Sequence, residues 1–293
     1  MTENVLIPID PPLPTSSPDA YVEAMVKSAG TSFYGGLSRL EPARRRGGFA
    51  VYAFCREVDD IADGDLPLDQ KIALLAAWRE EVDRIFDGSA THPISGTIIE
   101  ALKNFALDRQ DFIDVIDGME MDAHPCVRIK DLAELELYCD RVACAVGRLC
   151  VPIFGLRHDE GIELSRALGL ALQLTNVVRD VTEDAGRDRV YLPADMLIKA
   201  GAKGEAIEDV LTAPHLDDVC AALALRTGRY FDQARMITKA ADPAAARPAV
   251  MMMEVYHRVY QRLLKRGWYD LNQDVGLSKM RKILIAIRYG LFS

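Results

Sequence analysis

From about residue 20 to the C-terminus the apolar residues recur at helical spacing, and almost nowhere do they alternate as a half-buried strand would. That property confines the chain to folds in which helices pack on helices. "LDQKIALLAAWREEVDRIF" (68–86) puts Ile72, Leu75, Trp78, Val82 and Ile85 on one stripe. "DLAELELYCDRVACAVGRLCVPIFG" (131–155) reads as a second helix, with Asp131 as its N-cap and Pro152 near its end. "GIELSRALGLALQLTNVVRDVTEDAG" (161–186) is long, mostly apolar, and stops at Gly186. "LDDVCAALALRTGRYFDQARMITKA", "PAVMMMEVYHRVYQRLLKRG" and "SKMRKILIAIRYGL" complete the helical segments. No Asn-Gly or Asp-Gly hairpin separates two β-rich runs.

Breaks are expected at 64–69, 87–93, 122–130, 155–160, 185–195, 200–204 and 240–248. All are short, and none divides two independent cores. A length of 293 residues alone would allow two domains. The pattern instead predicts one all-α domain over 20–293, a bundle of about ten helices. The Pro-rich opening, "MTENVLIPIDPPLPTSSPD", lacks the basic start and apolar stretch of a signal peptide, so residues 1–19 read as a mobile tail.

The charge balance narrows the function. With 44 acids against 35 bases the formal net charge is −9, which argues against nucleic acid as a partner. An anionic substrate remains open if metal ions or local arginines supply positive charge. The six cysteines show no CxxC pair and sit mostly in apolar runs, as reduced core thiols of a cytoplasmic protein do. No apolar run reaches the length needed to span a bilayer.

Two of the apolar helices finish in acids. Tyr52, Arg56, Asp59 and Asp63 lie at offsets that an α-helix gathers into a stripe about 60° wide, and Gln173, Asn176, Asp180 and Asp184 into one about 80° wide. Arg179 flanks the second stripe. Like charges one turn apart destabilise a helix by roughly 0.2–0.5 kcal/mol. Acids in a last turn oppose the macrodipole at roughly 0.3–1 kcal/mol each. A cation removes both penalties together, and hard oxygen ligands suit Mg²⁺. A solvated helix end would explain either motif alone. The pair, on helices otherwise apolar nearly all round, predicts two central helices facing each other across a hydrophobic cavity with carboxylates at its mouth. Tyr138, Val142 and Ala145 form a further stripe, and the small residues Ala143, Ala145 and Gly147 permit close helix packing or room for a ligand. "GRDRVYLP" (186–193) follows the second motif as a polar loop carrying Arg187, Arg189 and Tyr191, residues suited to a phosphate. No P-loop or dinucleotide fingerprint is present.

Taken in order, "SFY" (32–34), "YAFCREVDDIAD" (52–63), "VIDGMEMDA" (115–123), "YCDRVACAVG" (138–147) and "QLTNVVRDVTEDAGRDRVYLP" (173–193) resemble the squalene/phytoene synthases, the head-to-head prenyl transferases. The resemblance spans nearly the whole chain except the Pro-rich tail. Within the family it is greatest to the bacterial enzymes that join two farnesyl diphosphates and stop at the cyclopropyl intermediate of squalene and hopanoid biosynthesis. It implies an isoprenoid-synthase helical bundle, Mg²⁺ as two or three ions bound with the substrate diphosphates, and no NADPH. Carried over by position, Asp59, Asp63, Asn176, Asp180 and Asp184 hold the metal. Arg56, Arg179, Arg189 and Tyr191 contact or orient the leaving diphosphate, with Ser32 near a diphosphate. Phe33, Tyr52, Tyr138, Gln173 and Asn176 line the reaction centre. Thr31 stands where some relatives carry Lys, and Asp274 and Gly276 where Arg is expected; Lys279, Arg281 and Lys282 are the nearby bases. The proton acceptor is either the departed diphosphate or a tyrosine.

Three alternatives stay open at this point. A phytoene synthase would condense two geranylgeranyl diphosphates. A chain-elongating prenyl transferase also uses paired Asp-rich helices, but its basic N-terminal element has no match in "EPARRRGGFAVYAFC". A cation-binding helical scaffold would release no diphosphate. The C-terminal "SKMRKILIAIRYGLF" is either a closing core helix or a peripheral contact with the inner membrane, where product would partition and pass to a downstream isoprenoid enzyme.

Overall fold

The structure, a computed structural model, describes residues 7, 17–28, 37–273 and 275–276. Thr31, Ser32, Phe33, Asp274, Lys279, Arg281, Lys282 and the expected C-terminal helix lie outside the described residues. The chain is all-α, as its periodicity predicts. The described helices are α1 (Pro18–Ser28), α2 (Pro42–Asp63), α3 (Leu68–Asp87), α4 (Pro93–Leu102), α5 (Arg109–Ala123), α6 (Leu132–Cys139), α7 (Ala145–Phe154), α8 (His158–Arg179), α9 (Val181–Ala185), α10 (Ala194–Lys199), α11 (Ile207–Leu211), α12 (Leu216–Ala240) and α13 (Pro243–Arg266). Strands β1 (Val127–Arg128) and β2 (Arg189–Val190) are two residues each and pair in parallel. No helix among the described residues is long and apolar enough to cross a membrane.

The chain divides into two compact units. One takes the chain up to His124 together with Ala145–Ile162, and the other takes Pro125–Cys144 together with the chain from Glu163 onward. In the first unit α2 packs on α4, α5 and α7, and α3 on α5. Phe54 of α2 meets Trp78 of α3 edge-on at 5.5 Å and Phe112 of α5 at 5.0 Å, and all three are fully buried. Burial of each such ring is worth about 2–3 kcal/mol.

Charge along α2 runs against its own macrodipole. Arg44, Arg45 and Arg46 stand near its start, its first turn has no acid, and Asp60 and Asp63 end it with no base in the last turn. Some compensation comes from α3, where the Lys71 ammonium donates to the Ala62 carbonyl at 2.8 Å. Its charge thus sits at the carbonyl end of α2, where the macrodipole favours a cation.

In the second unit three departures from the predicted helices share one cause, local backbone demands that periodicity does not encode. The helix expected over 131–155 does begin on an Asp131 cap, whose carboxylate accepts from the Glu134 amide at 3.0 Å. Asp140–Cys144 then widens into a π-helical turn between α6 and α7. Gly169 of α8 meets this turn directly: a Cβ there would stand 2.7 Å from the Cys144 sulfur and 2.8 Å from its Cα. The helix expected through Gly186 instead breaks at Asp180, whose φ of −102° and ψ of 14° separate α8 from α9. Helix α13 starts at Pro243 rather than Pro248, because Asp242 caps it by accepting from the Ala245 amide at 2.9 Å. Pro243 sits at the first helical position, where its missing N–H costs nothing. Pro248 forfeits only one bond inside the first turns.

A buried carboxylate fixes the corner between α3 and α4. Glu81 is fully buried. It accepts from Arg84 Nε at 2.6 Å, the Thr91 amide at 2.8 Å, the Thr91 hydroxyl at 2.8 Å and the His92 amide at 2.9 Å. Burial alone would push its pKa up, but these four donors together bring it down from 4.5 to about 2. That gap corresponds to about 3 kcal/mol of stability, complete above about pH 4.5 and lost as the pH falls towards 2. Glu81→Gln should therefore cost about 2–4 kcal/mol at pH 7 in urea titrations. It should also flatten the fall in stability that the parent protein shows between pH 4.5 and 2.

Candidate functional site

The two acidic motifs belong to different units. In the first, Tyr52 is half-buried on α2, one turn before Arg56. The Arg56 guanidinium reaches forward to Asp59 at 3.0 Å and also pairs with Asp60. Burial and the negative charge of Asp63 push the Asp59 carboxyl up to about 6, against the pull of Arg56, with Asp60 and Asp122 adding to the rise. Arg56 thus serves two carboxylates at once, Asp59 and Asp60. Asp122, at the end of α5, is 8% exposed; it lies within "VIDGMEMDA" but was not among the residues assigned to the site. Its signal was an acid within the apolar rhythm of "GMEMDA", beside the buried Met119 and Ala123.

In the second unit the predicted residues cluster where α8 passes into α9. The Arg179 guanidinium donates to both oxygens of Asp180, Nε at 2.6 Å and Nη2 at 2.5 Å. Burial would lower the Arg179 pKa, but the Asp180 pair outweighs it, and Tyr256 of α13 and Glu183 act in the same direction. Tyr256 was another residue that spacing did not reveal, since it comes from a helix remote in sequence. The break at Asp180 keeps the helical register. Its amide donates to the Asn176 carbonyl at 2.9 Å, and its own carbonyl accepts from the Asp184 amide at 2.8 Å.

Asn176 carries the most telling atom. Its Nδ2 donates to Gln173 Oε1 at 3.2 Å, while its Oδ1 is buried and accepts no hydrogen bond among the described residues. An unsatisfied buried acceptor costs about 1–3 kcal/mol. A carbonyl oxygen one turn from Asp180 could meet that need by ligating a hard cation. The donor set fits Mg²⁺ on these grounds: amide and carboxylate oxygens only, with an orphaned one among them.

Tyr138 and Tyr191 are brought together as a stacked pair, their rings 4.8 Å apart and tilted by 23°, both buried. Asp184, Arg189 and Tyr191 border one small void with Val177, Val181 and Val210. Among the described residues, the group of ligating atoms already gathered within 4.8 Å is His215, Asp217 and Asp218, largely exposed around the start of α12. No predicted metal ligand belongs to it. Acids at a helix start complement the macrodipole and need no ion. The predicted carboxylates are instead drawn onto arginines, Asp59 to Arg56 and Asp180 to Arg179.

The squalene/phytoene synthase family profile matches residues 26–281. A presqualene diphosphate synthase from Rhodopseudomonas palustris is 42% identical over 262 residues, covering 89% of this chain and 94% of that one. Phytoene synthase 1 of Solanum lycopersicum is 32% identical, covering 85% of this chain and 62% of its own. The crystal structure of squalene synthase HpnC from Alicyclobacillus acidocaldarius superposes with a TM-score of 0.76 at 25% identity, covering 86% of this chain and 94% of that one.

The raised Asp59 pKa makes a paired prediction. Asp59 binds its proton more tightly than the ordinary value of 3.8 allows, so its ionisation at neutral pH destabilises the fold. Asp59→Asn should raise the melting temperature at pH 7, and the gain should shrink as pH falls through 6 towards 4. Calorimetric Mg²⁺ affinity should show the opposite dependence, weakening below about pH 6 in the parent protein as protons compete for the carboxylate.

Proposed function

The chain belongs to the squalene/phytoene synthase family, and we propose that it joins two farnesyl diphosphates head to head, giving presqualene diphosphate, diphosphate and a proton. The observation that carries this reading is the near-full-length similarity to a presqualene diphosphate synthase, stronger than that to a phytoene synthase. The two acidic clusters and the orphaned Asn176 oxygen support it.

In this reading Asp59 and Asp63 bind Mg²⁺ with substrate diphosphate, and Asn176, Asp180 and Asp184 do likewise, for two or three ions in all. When bound, the metal neutralises diphosphate charge so that the allylic C–O bond can break. Arg56, Arg179 and Arg189 donate to the departing diphosphate, guanidinium forks being matched to phosphate oxygens. The buried faces of Tyr138 and Tyr191 exclude water and stabilise the allylic cation. The family resemblance further gives reaction-centre roles to Tyr52, Gln173 and Phe33 and a diphosphate role to Ser32, the last two outside the described residues. The second substrate's double bond attacks the cation. Loss of a proton, to the departed diphosphate or to a tyrosine, then closes the cyclopropane. No reductant enters, so NADPH is not required. Six unpaired thiols suit a reducing cytoplasm. A downstream isoprenoid enzyme must then consume the lipophilic diphosphate product.

Incubation with farnesyl diphosphate and Mg²⁺, with and without NADPH, tests the proposal. Mass spectrometry should find presqualene diphosphate in both arms and no squalene in either. Preference for geranylgeranyl diphosphate would transfer the reading to the phytoene type, and absence of diphosphate release would end it. Asp180→Asn and Asn176→Ala should each lower kcat by about a hundredfold or more. The far-UV circular dichroism of both variants should remain that of the parent.

A further inference from the structure

The loop that delivers Arg189 and Tyr191 is held in an uncommon conformation. Asp188 has φ of 58° and is the sole non-glycine with positive φ among the described residues. Aspartate tolerates this region better than most residues, but does not favour it. Because β2 begins at the next residue, the Asp188 torsions set the direction in which the strand leaves. Alternation along an extended segment then puts Arg189 and Tyr191 on one side and Val190 on the other.

One side chain grips this residue. Arg128, on β1, donates from Nη1 to the Asp188 carbonyl at 2.7 Å and from Nη2 to the Asp188 carboxylate at 2.5 Å. The same guanidinium donates to the Val127 carbonyl at 2.8 Å and, through Nε, to the Glu205 carbonyl at 2.8 Å. It therefore ties together three segments of the second unit. The Arg128 side chain is 18% exposed and that of Asp188 is 52% exposed, so the pair sits at the surface and its hold comes from the number and geometry of the bonds. The strand ladder adds two backbone bonds, Val127 N–H to the Asp188 carbonyl at 3.1 Å and Ile129 N–H to the Val190 carbonyl at 3.3 Å. A lysine could not reproduce the planar fork that serves backbone and carboxylate at once.

We propose that Arg128 is a positioning residue, which fixes Asp188 in the left-handed region and thereby aims Arg189 and Tyr191 at the diphosphate. This rests on the roles given to Arg189 and Tyr191 in the proposed function. Arg128 itself touches no substrate, and its loss is felt as misplacement of groups that bind.

The test compares the parent protein with Arg128→Met, Arg128→Lys, Asp188→Asn and Asp188→Val in steady-state turnover of farnesyl diphosphate, each with a melting curve. Arg128→Met should raise KM about tenfold while changing kcat less, and Arg128→Lys should not restore it. Asp188→Asn keeps a residue that accepts positive φ and should leave KM near the parent value. Asp188→Val, β-branched at an exposed position, should raise KM as Arg128→Met does while the melting temperature stays close to the parent's. Parent-like KM in Asp188→Val would overturn the proposal even if Arg128→Met failed to fold. If the parent protein turns over no prenyl diphosphate, the functional reading fails instead. The clamp is then read by hydrogen exchange at the Val127 and Ile129 amides, which should quicken in Arg128→Met; unchanged exchange would overturn it.

Discussion

Carboxylates gathered at the ends of largely buried helices need a positive partner, and the rest of this structure is arranged around that need. The partners are arginines one turn away or next in sequence, Arg56 for Asp59 and Asp60, and Arg179 for Asp180. Both compensations are partial. Asp59 is pushed up to about 6, and the Asn176 Oδ1 accepts no hydrogen bond among the described residues. A protein selected for stability alone would spread these charges out, as it does at Glu81, where four donors converge on one carboxylate and satisfy it fully. Glu81, held low by four donors, and Asp59, pushed up by burial and by Asp63, are thus carboxylates of opposite electrostatic character, and the proposed function uses the second.

The fold class and several boundaries were legible because helical periodicity and capping chemistry are local. The segment 68–86 became α3 with one residue added, and Asp131 caps as its side chain allows. Some side-chain pairings within the two motifs were legible for the same reason. Their residues repeat at helical offsets, so Arg56 with Asp59, and Gln173 with Asn176, could be paired from spacing alone. Features that arise from contacts distant in sequence were not legible. The π turn at Asp140–Cys144 is matched to Gly169 of another helix. Asp122 and Tyr256 approach the motifs from α5 and α13. The parallel pairing of β1 with β2 joins segments some sixty residues apart, each too short to carry a pattern. Pro248 misled for a different reason: it marks a helix start by propensity, but the Asp242 cap and Pro243 supply a better one upstream.

The second unit shows how little regular structure is needed to hold a loop firmly. Two residues of ladder, one guanidinium and one aspartate in the left-handed region fix the segment that carries Arg189 and the Tyr138–Tyr191 stack. Among the described residues Asp188 is the non-glycine with positive φ, and the charge that pairs with it comes from a residue outside every motif. Specificity in such a site depends as much on what holds the loop as on the side chains it presents.

The reversed charges of α2 have a kinetic meaning beyond their cost. With bases near its first turn and acids at its last, the side chains reinforce the polarity of the aligned peptide bonds instead of cancelling it. The helix becomes a long electric dipole whose negative pole opens at Asp59 and Asp63. Its field reaches into solvent about as far as a Debye length, roughly 8 Å at physiological salt. If these acids hold a divalent ion as the proposed function has it, this field would draw the ion in before any coordination bond formed, and so would affect how quickly the acids are reached.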